Sequence, residues 1–268
     1  MPPATGSAVP LKLITWNVNS IRARQERLLA LLARHAPDVV CLQEIKCEEA
    51  TFPAEVLRQA GYHAAVAGQK AYHGVAILAR EPLEDVRRGL DDGEDDPQAR
   101  LISARVRGLR VYSVYIPNGE VPSSPKFTYK LAWMERFARK LAREHTADEP
   151  LAVCGDFNVA PTDLDVRNPE KWADTVLCRP EVREKLAHIR RLPLIDALRH
   201  LHPDQANLYT YWDYQMLAFP KNDGLRIDHI DVTPPLAARL RAAWIDREER
   251  KGVRPSDHAP VIAVFDDE

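Results

Sequence analysis

RLISARVRGLRVYSVYI, residues 100–116, places two apolar, β-branched runs back to back, at 100–106 and 109–116. Each reads as a strand, and no helical stretch separates them. Strict alternation of strand and helix is broken here, which points to strands packed in layers with helices outside. Further strand-like runs lie at 11–16, 38–43, 73–79, 150–154, 225–232 and 260–265. Helical stretches are predicted at 20–35, 51–60, 125–145, 180–191 and 196–202. In the first, Ile21, Leu28, Leu29 and Leu32 recur at helical spacing, and the fourth opens at Pro180 and stops before Pro193. No Ser/Gly-rich linker or internal repeat divides the chain, so a single domain is expected over 10–268 behind a disordered tail, 1–9. The loops 117–125 and 159–172 are long for a compact domain and are therefore candidates for function.

The 268 residues are 45% hydrophobic, 28% charged and 7% aromatic, which excludes a disordered, collagenous or disulfide-stapled chain. The four cysteines, Cys41, Cys47, Cys154 and Cys178, form no CxxC pair, and Cys41 and Cys154 fall inside apolar runs. That usage predicts a reducing compartment and no structural zinc. No apolar run is long enough to span a bilayer and no signal peptide opens the chain, so a cytoplasmic protein is expected. The net charge of -2 conceals an uneven distribution. Carboxylates crowd into 91–96 and 266–268, leaving the remainder mildly basic. Both acidic runs read as solvated loop and tail, and charge neither supports nor excludes a nucleic-acid partner.

The position of the polar residues is more informative. Asn17 follows LITW, Glu44 follows VVCLQ, and Tyr115 stands in SVYIPNG. Asp156 and Asn158 end LAVCGDFN, Asp228 lies in LRIDHI, and Asp257 with His258 stands in SDHAPVIAVF, and all are expected at the trailing ends of apolar strands. An ordinary turn explains any one of these. Together, if the strands share an edge, they converge on one mouth. Oxygen ligands from Asn, Glu and Asp suit a hard cation, Mg²⁺ or Mn²⁺. His258 can be cationic against a phosphate oxygen, and Asp228 could fix its tautomer. Asp156 could position or deprotonate a water for in-line attack on phosphorus. The constellation reads as metal-assisted phosphoester hydrolysis.

TWNVNSIRAR, LQEIK, YIPNGE, GDFNVAPTDLD, GLRIDHI and PSDHAPV follow one another over residues 11–265 and resemble the exonuclease III family of AP endonucleases. That family lies within the endonuclease/exonuclease/phosphatase superfamily. The resemblance implies a four-layered α/β sandwich, two packed and mainly antiparallel sheets with helices on both outer faces. It implies a Mg²⁺-dependent DNA repair nuclease that incises 5′ to abasic sites, digests duplex DNA from 3′ ends and trims 3′-blocking groups. Double-stranded DNA is the implied partner, and the enzyme is expected to be a monomer with no membrane association. Carried over by motif, Glu44 is the principal metal ligand, with Asn17 and Asp257 near the metal. Asp156 orients or activates the water, Asn158 and Tyr115 face the phosphate, and His258 paired with Asp228 stabilises developing charge. Whether Asp156 acts as base or as proton donor stays open.

Arg22, Arg24, Asn118 and Lys126 are candidate DNA contacts, and Lys130, which like Lys126 follows the Pro-rich loop, is read with them as a surface cation; an exposed helix face accounts equally well for Arg22. Tyr211, Trp212 and Leu225 fall where the family has its pocket for the extruded abasic sugar, although packing is an equal reading for Trp212. His229 should point away from Asp228 on an extended strand, and Trp16 is expected in the core. Two rival classes remain: a phosphodiesterase or phosphatase of the same superfamily acting on RNA or inositol phosphates, and a non-catalytic binding member. The presence of Glu44, Asp156, Asp228 and His258 together speaks against the second.

Overall fold

The computed structural model describes residues 10–267, so the expected tail, 1–9, lies outside the described residues. The strands are β1 (Leu11–Asn17), β2 (Val39–Gln43), β3 (His63–Ala67), β4 (Val75–Ala79), β5 (Glu84–Arg88) and β6 (Leu101–Val106). They continue with β7 (Leu109–Tyr115), β8 (Leu151–Asp156), β9 (Ile195–Asp196), β10 (Asp228–Val232), β11 (Leu240–Ile245) and β12 (Val261–Phe265). The helices are α1 (Ile21–His35), α2 (Ala54–Gln59), α3 (Pro125–Glu144), α4 (Pro169–Trp172), α5 (Pro180–Ile189), α6 (Ala197–Leu201), α7 (Ala218–Lys221) and α8 (Pro234–Ala237).

Two six-stranded sheets result, ordered β11-β12-β1-β2-β4-β3 and β5-β6-β7-β8-β10-β9. Each holds one parallel pair, β1 with β2 and β7 with β8, and antiparallel neighbours elsewhere. A parallel pair needs a crossover, which α1 supplies in one sheet and α3 in the other. Ser124 caps α3 by accepting from the Phe127 N–H at 3.2 Å, and Pro125 follows at the first helical position.

Along β1, Leu13 faces the partner sheet while Ile14 and Trp16 face α1, so both faces are apolar. That explains why these strands read as continuous hydrophobic runs instead of alternating ones. The layer between the sheets joins Leu13, Cys41 and Ile77 to Ile102, Val111 and Ile230. Ile21, Leu28 and Leu31 of α1 cover one outer face, and Phe137, Leu141 and Leu186 from α3 and α5 cover the other. The result is the expected four-layered sandwich. Each fully buried side chain of this kind stabilises the fold by roughly 1.5–3 kcal/mol. All four cysteines are buried and unpaired. No helix among the described residues is long and apolar enough to cross a membrane.

Several elements depart from the sequence reading. β3, β5, β9 and β11 had no strand signal: β3 is alanine-rich, β5 is an exposed edge of charged residues, and β9 has two residues. Their pairing comes from the neighbouring strand and not from local propensity. The helix predicted over 51–60 begins after Pro53, and a 3₁₀ turn occupies Glu49–Thr51. The run 73–79 pairs only from Val75, because His73 and Gly74 have φ of 58° and 84°. The run 225–232 pairs continuously only from Asp228.

Candidate active site

The parallel pairs bring Asn17, Glu44, Tyr115 and Asp156 to one edge, at the trailing ends of β1, β2, β7 and β8. Asp228 and His258 reach that edge differently from the sequence expectation. Asp228 starts β10 and Asp257 and His258 precede β12, so they stand at leading ends. β10 and β12 run antiparallel to their neighbours, so a leading end there shares the edge of a trailing end beside it. Register makes this concrete: Asp156 lies opposite Tyr115 on one side and Asp228 on the other.

Asn17 is fully buried, and its Nδ2 donates to Glu44 Oε1 at 2.9 Å and to Asp156 Oδ2 at 3.0 Å. Its own Oδ1 accepts from the Asn19 N–H at 3.0 Å, so Asn17 presents its nitrogen to the two carboxylates. Tyr115 donates its hydroxyl to Glu44 Oε1 at 2.9 Å. His258 Nδ1 lies 2.8 Å from Asp228 Oδ2, while Nε2 faces Asp156 Oδ2 at 3.8 Å. Asp257 accepts from Asn19 Nδ2 at 3.0 Å. The Asn158 N–H donates to Asp156 Oδ1 at 2.9 Å, and Asn118 Nδ2 donates to Asn158 Oδ1 at 3.1 Å. Glu44 and Asn158, with φ of 49° each, sit in the left-handed region, a conformation that costs non-glycine residues of order 1–3 kcal/mol and concentrates at functional sites.

The electrostatics are unusual. Burial pushes the Asp156 carboxyl up to about 7, against the opposing pull of His258. Burial disfavours the charged imidazole of His258, yet Asp228, then Asp156 and Asp257, outweigh it and raise the group to about 10. Burial also opposes charge on Glu44, but Asn17, Lys46 and His258 together hold its carboxyl below the usual range. Burial and the adjacent Glu44 and Asp156 raise the Tyr115 hydroxyl well above its ordinary value, keeping it a neutral donor.

The residues fit a divalent cation. Four carboxylates, Glu44, Asp156, Asp228 and Asp257, face two cationic groups, His258 and Lys46, so acidic groups outnumber cationic ones in the cluster. Asp228 Oδ1 is buried without a hydrogen-bond partner. Asp156, Asp228 and His258 bring ligand atoms within 4.8 Å of one another, so a carboxylate/His metal site is available.

The remaining candidates separate. Arg22 is exposed on the first turn of α1. Arg24 is committed to the protein, donating to Asn19 O, Tyr214 Oη and Pro255 O at 2.8–2.9 Å. Lys126 is exposed and pairs with Glu120 at 3.1 Å. The Tyr211 ring stands 5.0 Å from that of His258. Trp212 is 0% exposed, edge-on to Phe219, and Leu225 is buried too, so neither offers surface to a ligand in this conformation. His229 turns away from the cluster, as its strand position required, and bonds Arg226 and Val159. Trp16 is buried, its Nε1 donating to the His258 carbonyl at 3.1 Å.

Three residues were not legible as site residues in the sequence. Lys46 pairs with Glu44 at 3.0 Å, and its Nζ donates to Asn19 Oδ1 at 2.6 Å, so both join the cluster. Their place beside Asn17 and Glu44 in TWNVNS and LQEIK was the available signal. The third is Lys130: it belongs under the site and not among surface DNA contacts, because its side chain is fully buried.

Comparison with known proteins identifies similar chains and folds. The model of the Endonuclease/Exonuclease/phosphatase family matches residues 14–258. Exodeoxyribonuclease III of Haemophilus influenzae is 36% identical over 95% of this chain and 100% of its own. An AP endonuclease structure from Archaeoglobus fulgidus superposes with a TM-score of 0.93 at 39% identity, covering 96% of this chain and 100% of that one. A structure of the 3′ phosphatase NExo from Neisseria, bound to a product DNA hairpin, has a TM-score of 0.93 at 44% identity, covering 96% and 99%.

Proposed function

The chain belongs to the Endonuclease/Exonuclease/phosphatase family, and from that premise we propose that it is a Mg²⁺-dependent DNA repair nuclease acting at abasic sites and at 3′ ends. It is a phosphodiester hydrolase of the exodeoxyribonuclease III and AP endonuclease kind. The observation that carries the proposal is the buried Asp156, linked through Asn17 to Glu44 and facing the His258 imidazole at 3.8 Å. One titratable carboxylate is thereby held between a cation-poor oxygen cluster and a fixed positive charge.

Glu44 and Asp257 are the proposed ligands of the ion, and Asn17, bonded to both Glu44 and Asp156, fixes their orientation from beside it. When bound, the cation would supply charge against the phosphate oxygens and favour a nucleophilic water. With its carboxyl near neutrality, Asp156 is suited to take the proton of that water. His258, charged and oriented by Asp228, stabilises the negative charge that grows on the phosphoryl oxygens. The Tyr115 hydroxyl and the Asn158 and Asn118 amides are neutral donors along the same mouth. Tyr211 offers its half-buried ring to an extruded abasic sugar, with Leu225 in the apolar cluster that it packs against, while Trp212 packs on Phe219 and has a structural role.

The test uses a labelled duplex with one central abasic-site analogue and a second ending in a 3′-phosphate, each with and without Mg²⁺. Metal-dependent cleavage on the 5′ side of the analogue, leaving a 3′-hydroxyl, is expected, together with shortening or dephosphorylation of 3′ ends. Activity at 3′ ends with an intact analogue would remove the abasic assignment and keep the nuclease. A protein inert on both substrates would move the site to a phosphoester outside DNA. The working enzyme is proposed to be a cytoplasmic monomer, which sedimentation alone and on duplex DNA would check.

A further inference from the structure

α3 carries a lysine where an apolar residue would be expected. Lys130 shares the buried face of the helix with Phe127, Trp133, Met134 and Phe137, and its side chain is 0% exposed. A buried ammonium must find acceptors, and Lys130 finds three backbone carbonyls on three separate segments. Nζ donates to Asn158 O at 2.6 Å, to Val176 O at 2.7 Å and to Asn118 O at 3.1 Å. Its stem passes beneath Gly119, where an added Cβ would lie 3.1 Å from Lys130 Cδ. Gly119 has a φ of +98° and so lets the 117–121 loop rest on the lysine.

Both active-site asparagines are therefore tied twice. Their side chains bond each other, Asn118 Nδ2 to Asn158 Oδ1, and their carbonyls share one ammonium. Asn158 is the strained member, with a left-handed backbone, and its remaining contacts are the Asp156 carboxylate and the Ile116 carbonyl. We infer that Lys130 is a positioning residue of the hydrolytic reaction, clamping the 118 and 158 segments so that both amides and the Asp156 carboxylate keep one arrangement. The inference rests on the nuclease reading above.

Stability alone is a poor reason for this lysine. Burial lowers its pKa to about 7, with Asp156 and then Cys178 opposing that shift. The fold disfavours the charged form, and the three carbonyl acceptors compensate it, two of them on the segments that carry the reacting edge.

The experiment is a double-mutant cycle with the full chain on the duplexes described above. Lys130→Met is made alone and in an Asn158→Ala background, with turnover, DNA affinity and thermal melting measured for each. Expected is a loss of turnover of about 30–100-fold for Lys130→Met, the scale of a misplaced reacting group, with DNA affinity changed less than about 3-fold. In the Asn158→Ala background the same change should lose less than about 3-fold, because there is little left to position. Equal losses in both backgrounds, or turnover that follows only the fraction of folded protein, would overturn the inference. If Lys130→Met does not fold, Lys130→Gln, which keeps a shorter donor, carries the same cycle. An inactive wild type sinks the nuclease reading and this inference together, whereas an active wild type with an unaffected Lys130→Met sinks this inference alone.

Discussion

Two buried charge clusters face each other across β10, and they are built on opposite accounts. At the reacting edge, Glu44, Asp156, Asp228 and Asp257 outnumber their cationic neighbours His258 and Lys46. Around Arg226, three carboxylates meet three guanidinium groups. Arg226 bonds Asp165 and Asp196 at 2.7 Å each, Arg190 bonds Asp231 at 2.7 Å and Asp196 at 3.2 Å, and Arg199 pairs with Asp165. The pKa directions follow. Burial opposes charge on Asp165, but Arg226 and Arg199 bring its carboxyl down to about 2, whereas burial lifts Asp156 to about 7. Charge that is balanced internally serves the fold, and charge left unbalanced is available to a ligand. His229 illustrates the boundary: one residue from Asp228, it faces the other way and belongs to the balanced cluster.

The largest expected effect tests that division directly. Asp156→Asn should lower turnover about 10³-fold, within the range for a lost acid–base group, while leaving thermal stability equal or higher. A variant that loses its stability along with its turnover would place Asp156 among the structural charges. Next in size, Arg226→Met should destabilise the protein by roughly 3–5 kcal/mol, because it leaves three buried carboxylates facing two guanidinium groups, with Asp165 keeping Arg199 and Asp196 keeping Arg190. Turnover per folded molecule should change little, and urea melts paired with active-site titration would reveal any exception.

A third expectation concerns pH. The contribution of Asp165, whose folded pKa is depressed, is present above its unfolded value of 3.8 and is lost as pH falls toward about 2. Asp156 acts in the opposite sense, since its raised folded pKa contributes stability at low pH that disappears between 3.8 and about 7. His258 continues that trend, losing its contribution as pH rises from 6.5 to about 10. Stability should therefore peak in weak acid, and the decline from there toward neutrality should flatten in Asp156→Asn. A pH series of melting temperatures that keeps its full slope in that variant contradicts the assignment.

The smallest effect is thermal. Millimolar Mg²⁺ should raise the melting temperature by a few degrees, equivalent to about 1–3 kcal/mol of linkage, and Glu44→Ala should abolish the rise. A shift that survives Glu44→Ala but vanishes on removing Asp228 would move the ion to the Asp156, Asp228 and His258 group.

Much of the reacting edge was legible because its chemistry is local: GDFN, LQE and SDH each deliver their polar residue directly from an apolar strand. The balanced cluster was not, since Asp165 lies in the 159–172 loop and Arg226 beside the LRIDHI strand, with nothing local to pair them. Lys130 was misread as a surface cation for the same reason. A lysine in an amphipathic helix looks exposed until the acceptors on other segments are known, and those acceptors are backbone carbonyls that every residue possesses. The edge strands β5 and β9 were equally silent, having no alternation of their own.

The sequence by itself determined the layers and the chemical kinds of group at the site, because hydrophobic periodicity and strand-end polarity are properties of a few consecutive residues. Only the tertiary structure decided which groups meet. Asn17 reaches Asp156 across 139 positions, and Trp16 reaches His258 across 242. It also decided strand direction, which turned the expected trailing positions of Asp228 and His258 into leading ones on the same edge. The physical reason is that a buried charge is defined by its neighbours, and strand pairing and helix crossover choose those neighbours after local propensity has been spent.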